Sequence, residues 1–226
     1  MFITRKVWAL MATLSLVGAS VAAVLSATAA TAATPQCGMS CSSVYNKGLG
    51  LPGPVEDILD GVAAVGQPVI LKPNSNSDPS EDQFSHVSTV SNYYAAGMIS
   101  ADANSHFAGS SRAVQIEYAP NGVASGLCVG LDSLPHENQG LTLQPCSTPY
   151  VTVWILDFGH SPVPGYFAII NSATTDFNNP FAMSLNPDET SSSQHLLQIL
   201  VRRLQWGNGD KTLPDDQLWN IKLGSF

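Results

Sequence analysis

The chain has 226 residues, enough for one large domain or two small ones. Charged side chains make up only 12% of it, and acids outnumber bases 17 to 9, for a net charge of −8. So few Lys and Arg exclude a polyanion binder, because nucleic-acid and anionic-membrane affinity rest on basic side chains.

The first segment reads as an export signal. Arg5 and Lys6 lead, an apolar stretch follows from Val7 to about Leu25, and small residues run to Ala33. Ala30 and Ala32 supply the small side chains that signal peptidase needs one and three residues before the cut. A membrane anchor is the rival reading of the same apolar run; the Ala/Thr-rich end and the lack of following stop-transfer charges favour cleavage. Removing residues 1–33 leaves seven basic against 17 acidic side chains, or −10, and an expected extracellular product. No stable membrane insertion is expected of it.

Residues 34–53 read as an N-terminal arm, rich in Gly, Ser and Pro. All four cysteines, Cys37, Cys41, Cys128 and Cys146, survive cleavage, and an even count in an exported chain implies two disulfides with three possible pairings. Cys37–Cys41 and Cys128–Cys146 are favoured, since each closes a local loop. A zinc site fails for want of histidines at ligand spacing.

Next comes Pro54–Ala63, where apolar residues at helical spacing and early acids make a short helix as good a reading as a strand. Strand-like segments then dominate: 68–71, 113–118, 166–170 and 197–201, short and rich in β-branched residues. Asn121-Gly122 and Asn208-Gly209 are turn dipeptides. Residues 74–82 are dense in oxygen ligands, but lack the spacing of a hand-type calcium loop and read as a solvated turn. Residues 85–112 look like an insertion; its apolar part, Tyr93–Ile99, either caps the core or forms a partner surface.

A threefold internal repeat organises these pieces. Each copy has an apolar strand, a polar loop and an aromatic residue. The strands begin at Val69, Leu141 and Leu197, and the aromatics are Phe84, Trp154 and Trp219. The copies span about 54–84, 113–154 and 166–219. None buries an apolar face alone; closed about a pseudo-threefold axis, the three bury their aromatics together. The expectation is all-β, a β-trefoil of three long copies with an N-terminal extension. A two-sheet sandwich is the competing architecture.

Gly126-Leu127-Cys128-Val129, Leu141 to Cys146 and Val153-Trp154 resemble a repeat of the ricin B-type lectins, and Gln217-Leu218-Trp219 matches that family's Gln-x-Trp signature. The separation of Cys128 and Cys146 resembles the disulfide within one such repeat. The resemblance implies a small sugar pocket per copy, where carboxylate and amide groups grip hydroxyls and an aromatic face covers the ring. Carried over residue by residue, copy two has Gly130 at the Asp place, Thr142 and Gln144 at the Gln and aromatic places, and Val151 and Thr152 for the amide pair. Copy three keeps Gln198, Asp216 and Gln217, with Ser184 and Leu200 at the other places; Trp206 stands in for the ring if its loop folds back. Copy one keeps Asp60, with Ile70 and Lys72 where the Gln and aromatic belong.

The five histidines, His86, His106, His136, His160 and His195, form no metal or catalytic motif, and the region after the signal has no Gly-x-Ser-x-Gly elbow. No cofactor is implied. The sequence thus points to a secreted, non-catalytic binding protein, with a carbohydrate as partner. The alternative is a trefoil scaffold for a secreted protein partner, in a complex or as a hydrolase inhibitor.

Overall fold

A computed structural model describes residues 41–50, 53–73, 82–109, 111–159, 161–186, 197–205 and 213–223. All belong to one compact unit, Thr34–Phe226. The signal segment, Cys37, the oxygen-rich turn at 74–81, His160, His195 and Trp206 lie outside the described residues.

The chain is mostly β with few helices. Its strands are β1 (Cys41–Asn46), β2 (Val55–Ile58), β3 (Val69–Lys72), β4 (Gln83–Thr89), β5 (Arg112–Tyr118), β6 (Leu127–Gly130), β7 (Gln139–Gly140), β8 (Thr142–Pro145), β9 (Trp154–Asp157), β10 (Ala168–Asn171), β11 (Phe181–Leu185), β12 (Leu197–Arg203) and β13 (Trp219–Leu223). Six of them close a ring of antiparallel neighbours. β1 pairs with β4, β4 with β5, β5 with β9, β9 with β10, and β13 with β1. A bridge between Phe167 and Trp219 joins the remaining pair of edges, with N–H···O distances of 2.9 Å both ways. Three hairpins, β2–β3, β6–β8 and β11–β12, stand off this ring. They also bond to one another: Val69 N–H donates to Leu141 O, Leu141 N–H to Ile199 O, and Leu197 pairs with Leu71. Three hairpins on a closed ring are compatible with the expected β-trefoil.

The interior follows the alternation that a strand imposes. Ile58, Leu131 and Leu185 lie at matching places in β2 or just after β6 and at the end of β11, opposite Val69, Leu141 and Ile199 in the partner arms, and all are buried in one cluster with Trp154 and Trp219. The indole N–H of Trp154 donates to Val129 O and that of Trp219 to Met183 O, each at 2.8 Å. Two asparagines repeat as well. Asn171 and Asn46 accept from the N–H two residues on, and donate to the carbonyl three residues before a Trp, Val151 O and Asp216 O.

Copy one departs from the expectation. Its counterpart of Trp154 and Trp219 is Gln83, not Phe84. Gln83 pairs with Tyr118 as Trp154 pairs with Asn171 and Trp219 with Asn46. Its side-chain N–H donates to Glu56 O at 3.4 Å, in place of the indole bond. Phe84 is one residue out of register, so it faces the other side of β4 and is only half-buried. The inward place held by Val129 and Met183 is taken by Glu56, which is 1% exposed.

Two further expectations change. Pro54–Ala63 is not helical: pairing of Val55–Ile58 with β3 overrides its helical spacing, and a 3-10 turn at Leu59–Gly61 ends it. The expected arm contributes β1, which supplies copy one with its missing ring strand. In the insertion, β4 and β5 run to Thr89 and from Arg112, leaving two short helices between them, α1 (Val90–Ala95) and α2 (Ala101–Phe107). Thr89 and Ser100 cap them by accepting the N–H three residues on. Val90, Tyr93, Ile99, Ala103 and Phe107 are buried in a second cluster with Ala113, Ile155, Ala168 and Ile170. The insertion therefore covers the ring with its apolar part.

Candidate functional site

The described residues at the family-type places are held in different ways in the three copies. Gln217 is fully buried, and its amide is spent. Oε1 accepts from Gln205 N–H at 2.8 Å, and Nε2 donates to Ser184 Oγ at 2.8 Å and Arg203 O at 3.0 Å. That saturates a side-chain amide's donors. Asp216 faces the Arg202 guanidinium at 3.8 Å, and burial raises its carboxyl above the ordinary value. Gln198 lays its amide over Gly140, and the end of that side chain would have to shift to admit a Cβ there. Asp60 is exposed at the tip of another hairpin, with φ 59°. In copy two, a Cβ at Gly130 would meet Val151 O and Thr152 Cγ2 at 3.0 Å, so that place is closed.

The disulfide between Cys128 and Cys146 is formed and staples the β6–β8 hairpin. Cys41 is also disulfide-bonded; the pairing expected for it, with Cys37, lies outside the described residues. No group of three or more metal-ligating side chains occurs among the described residues. No helix among them is long and apolar enough to cross a membrane.

A different place carries binding chemistry. Where the insertion meets the turns before β9 and after β10, a cleft of about 230 Å³ opens. Ser100 and Asp102 line it from the insertion, Tyr150 from copy two, and Ser172, Thr174 and Phe177 from copy three. Tyr150 has a left-handed backbone, φ 66°, and is 40% exposed. A bulky residue there costs on the order of 1–2 kcal/mol and persists only when its surroundings hold it. Here they do: Tyr150 N–H donates to Met98 O at 2.9 Å, and Ser172 Oγ donates to Tyr150 O at 2.7 Å.

Phe177 is fixed from behind. The His106 ring stacks on it at 5.1 Å, and Phe107 meets it edge-on at 5.6 Å. The Asp102 carboxylate is exposed, with no hydrogen bond or ion pair among the described residues. A packed Phe177 ring, a Tyr150 ring on a pinned backbone, a carboxylate unpaired among the described residues and hydroxyls around a small concavity suit a polyol, with apolar faces for its C–H surface and acceptors for its hydroxyls. The sequence carried no local sign of this cleft. Residues 100–102, 150 and 172–177 meet only through the fold.

No family model matches the chain. No curated protein matches it either. Solved structures do. The designed threefold-symmetric protein ThreeFoil aligns at 12% identity over 80% of this chain and 97% of its own, with a TM-score of 0.52. The exo-β-1,3-galactanase 1,3Gal43A of Clostridium thermocellum aligns at 14% identity over 81% of this chain but 30% of its own, with a TM-score of 0.50. A Macrolepiota procera ricin B-like lectin, solved with lactose, aligns at 13% identity over 81% of this chain and 96% of its own, at a TM-score of 0.47. At these identities the first two matches speak to the fold alone, and the third carries no argument.

Proposed function

We propose that this chain is an exported, non-catalytic carbohydrate-binding protein built as a β-trefoil of three unequal copies, and that its ligand sits in the cleft between the insertion and copies two and three. The observation that carries the reading is Tyr150. A strained, partly exposed aromatic, tied to Met98 and Ser172 and set beside Phe177 and a free carboxylate, is structure spent on presenting a ring. Export rests on the leader-like residues 1–33, and the trefoil on the closed ring and three hairpins. The Gln-x-Trp likeness supports kinship with ricin B-type lectins, while the Gln217 side chain itself is engaged in structural hydrogen bonds.

A glycan array with the residue 34–226 protein tests this. Binding is expected, and Tyr150→Ala should weaken it at least ten-fold with an unchanged circular dichroism spectrum. Gln198→Ala should bind like the parent. Loss in Gln198→Ala with retention in Tyr150→Ala would return the site to copy three. A blank array with folded protein would remove the carbohydrate reading.

A further inference from the structure

The cleft has one charged side chain in its lining, and the sign of that charge has consequences for what it accepts. Asp102 lies at the mouth with its carboxylate uncompensated among the described residues. The other polar lining groups are hydroxyls, and most are committed. Ser100 Oγ accepts from Ala103 N–H at 3.1 Å, Ser172 Oγ donates to Tyr150 O, and Thr174 Oγ1 accepts from Phe181 N–H at 3.3 Å. The nearby cation is engaged elsewhere. Arg203 lies 3.6 Å from Asp176, donates to Asn179 O at 2.6 Å, and sets its guanidinium 4.1 Å over the Phe181 ring. His106 stacks on Phe177 without lining the cleft. The whole chain is acidic as well, at −8. Among the described residues, an incoming anion therefore meets repulsion and no basic group in the lining, while an ammonium group meets an unpaired carboxylate.

We propose that the cleft selects its saccharide by charge, accepting amine-bearing and neutral sugars and rejecting uronic or otherwise acidic ones, with Asp102 as the selecting residue. This rests on the carbohydrate reading of the cleft and goes beyond it by naming the ligand class. The rings of Tyr150 and Phe177 suit any pyranose face, so they set affinity without regard to charge. Asp102 adds the discrimination. For like or opposite charges about 5 Å apart at a partly exposed site, Coulomb's law gives steps of roughly five-fold in affinity.

The experiment uses two series that share a ring and differ in charge: glucose, glucosamine and glucuronate, and galactose, galactosamine and galacturonate. Affinities are measured by ligand-observed NMR titration at pH 7.5, where an ordinary imidazole is mostly neutral. In at least one series the amine should bind about five-fold tighter than the neutral sugar, and the carboxylate about five-fold weaker. In Asp102→Asn the ratio of amine to carboxylate should fall below two-fold, whatever happens to the neutral sugar. Raising salt from 20 mM to 500 mM should narrow the parent's spread in the same direction. A uronate bound as well as its neutral parent, or a spread that survives Asp102→Asn, overturns charge selection while leaving a sugar site in place. Failure of all six sugars to bind overturns the carbohydrate reading itself.

Discussion

Copies two and three fill their interior one way, and copy one another. Trp154 and Trp219 each donate an indole N–H to the carbonyl of an apolar residue, Val129 or Met183, and both rings belong to one buried apolar cluster. Copy one puts Gln83 where the Trp belongs and Glu56 where the apolar residue belongs. The backbone path hardly notices: the amide N–H of Gln83 reaches the same carbonyl as the indole does. The chemistry changes more. Neither Glu56 carboxyl oxygen, nor Oε1 of Gln83, has a hydrogen-bond partner among the described residues. Burial pushes the Glu56 carboxyl up to about 8; the Gln83 amide opposes the shift and the neighbouring Asp57 adds to it. Asp57 is itself paired with Lys72 at 3.1 Å. A fold can keep its topology in one copy with an amide in place of a ring and a carboxyl in place of an apolar side chain, provided that the carboxyl holds its proton.

The comparison breaks most visibly at the rings. Trp219→Ala and Trp154→Ala should each cost about 4 kcal/mol in urea unfolding, the usual range for an emptied aromatic site, and Gln83→Ala less than half of that. Equal costs in all three would mean that Gln83 is as much a packing residue as the tryptophans.

The next effect is on pH. Burial holds the folded Glu56 carboxyl at about 8, against an ordinary value of 4.5 once unfolded. Its contribution to stability is therefore full below pH 4.5 and is lost as pH rises through 8, by several kcal/mol at most. The parent should lose thermal stability between pH 5 and 8 relative to Glu56→Gln, which cannot ionise. Parallel melting curves for the two proteins would show that no such carboxyl is buried.

The smallest effect sharpens the comparison by making copy one apolar. Glu56→Met with Gln83→Met replaces both polar partners by side chains of similar size, a change that is commonly neutral to stabilising. At pH 7.5 the double variant should be about 1 kcal/mol more stable than the parent, and more stable than the sum of the single variants implies. A double variant less stable than either single one would mean that the two groups share a bond or a water.

Much of this arrangement can be read from the sequence, and the failures have physical causes. The β-branched runs at 68–71, 113–118, 166–170 and 197–201 fall on β3, β5, β10 and β12, Trp154 and Trp219 are legible as repeats, and the Cys128–Cys146 pairing is legible in copy two. Aligning copies by aromatic residues misplaced copy one by one position, because its polar interior offered Phe84 as the nearest ring. With a period of two, a slip of one residue changes the face. β1 escaped notice because Cys-Ser-Ser-Val-Tyr-Asn looks like a linker until a partner strand fixes it. The strand at Val55–Ile58 was masked by helical spacing that pairing overrides. The cleft had no signal at all. Nothing near Tyr150 in the chain announces a left-handed ring, and its partners come from residues far away in sequence.

Among the described residues a helical insertion follows copy one alone, between β4 and β5, and the wall carrying Ser100 and Asp102 comes with it. A trefoil with three equal pockets can bridge surfaces; on the proposed reading, a seat that needs the insertion as its wall occurs once per copy of the chain, so linking two glycans through that seat takes two copies.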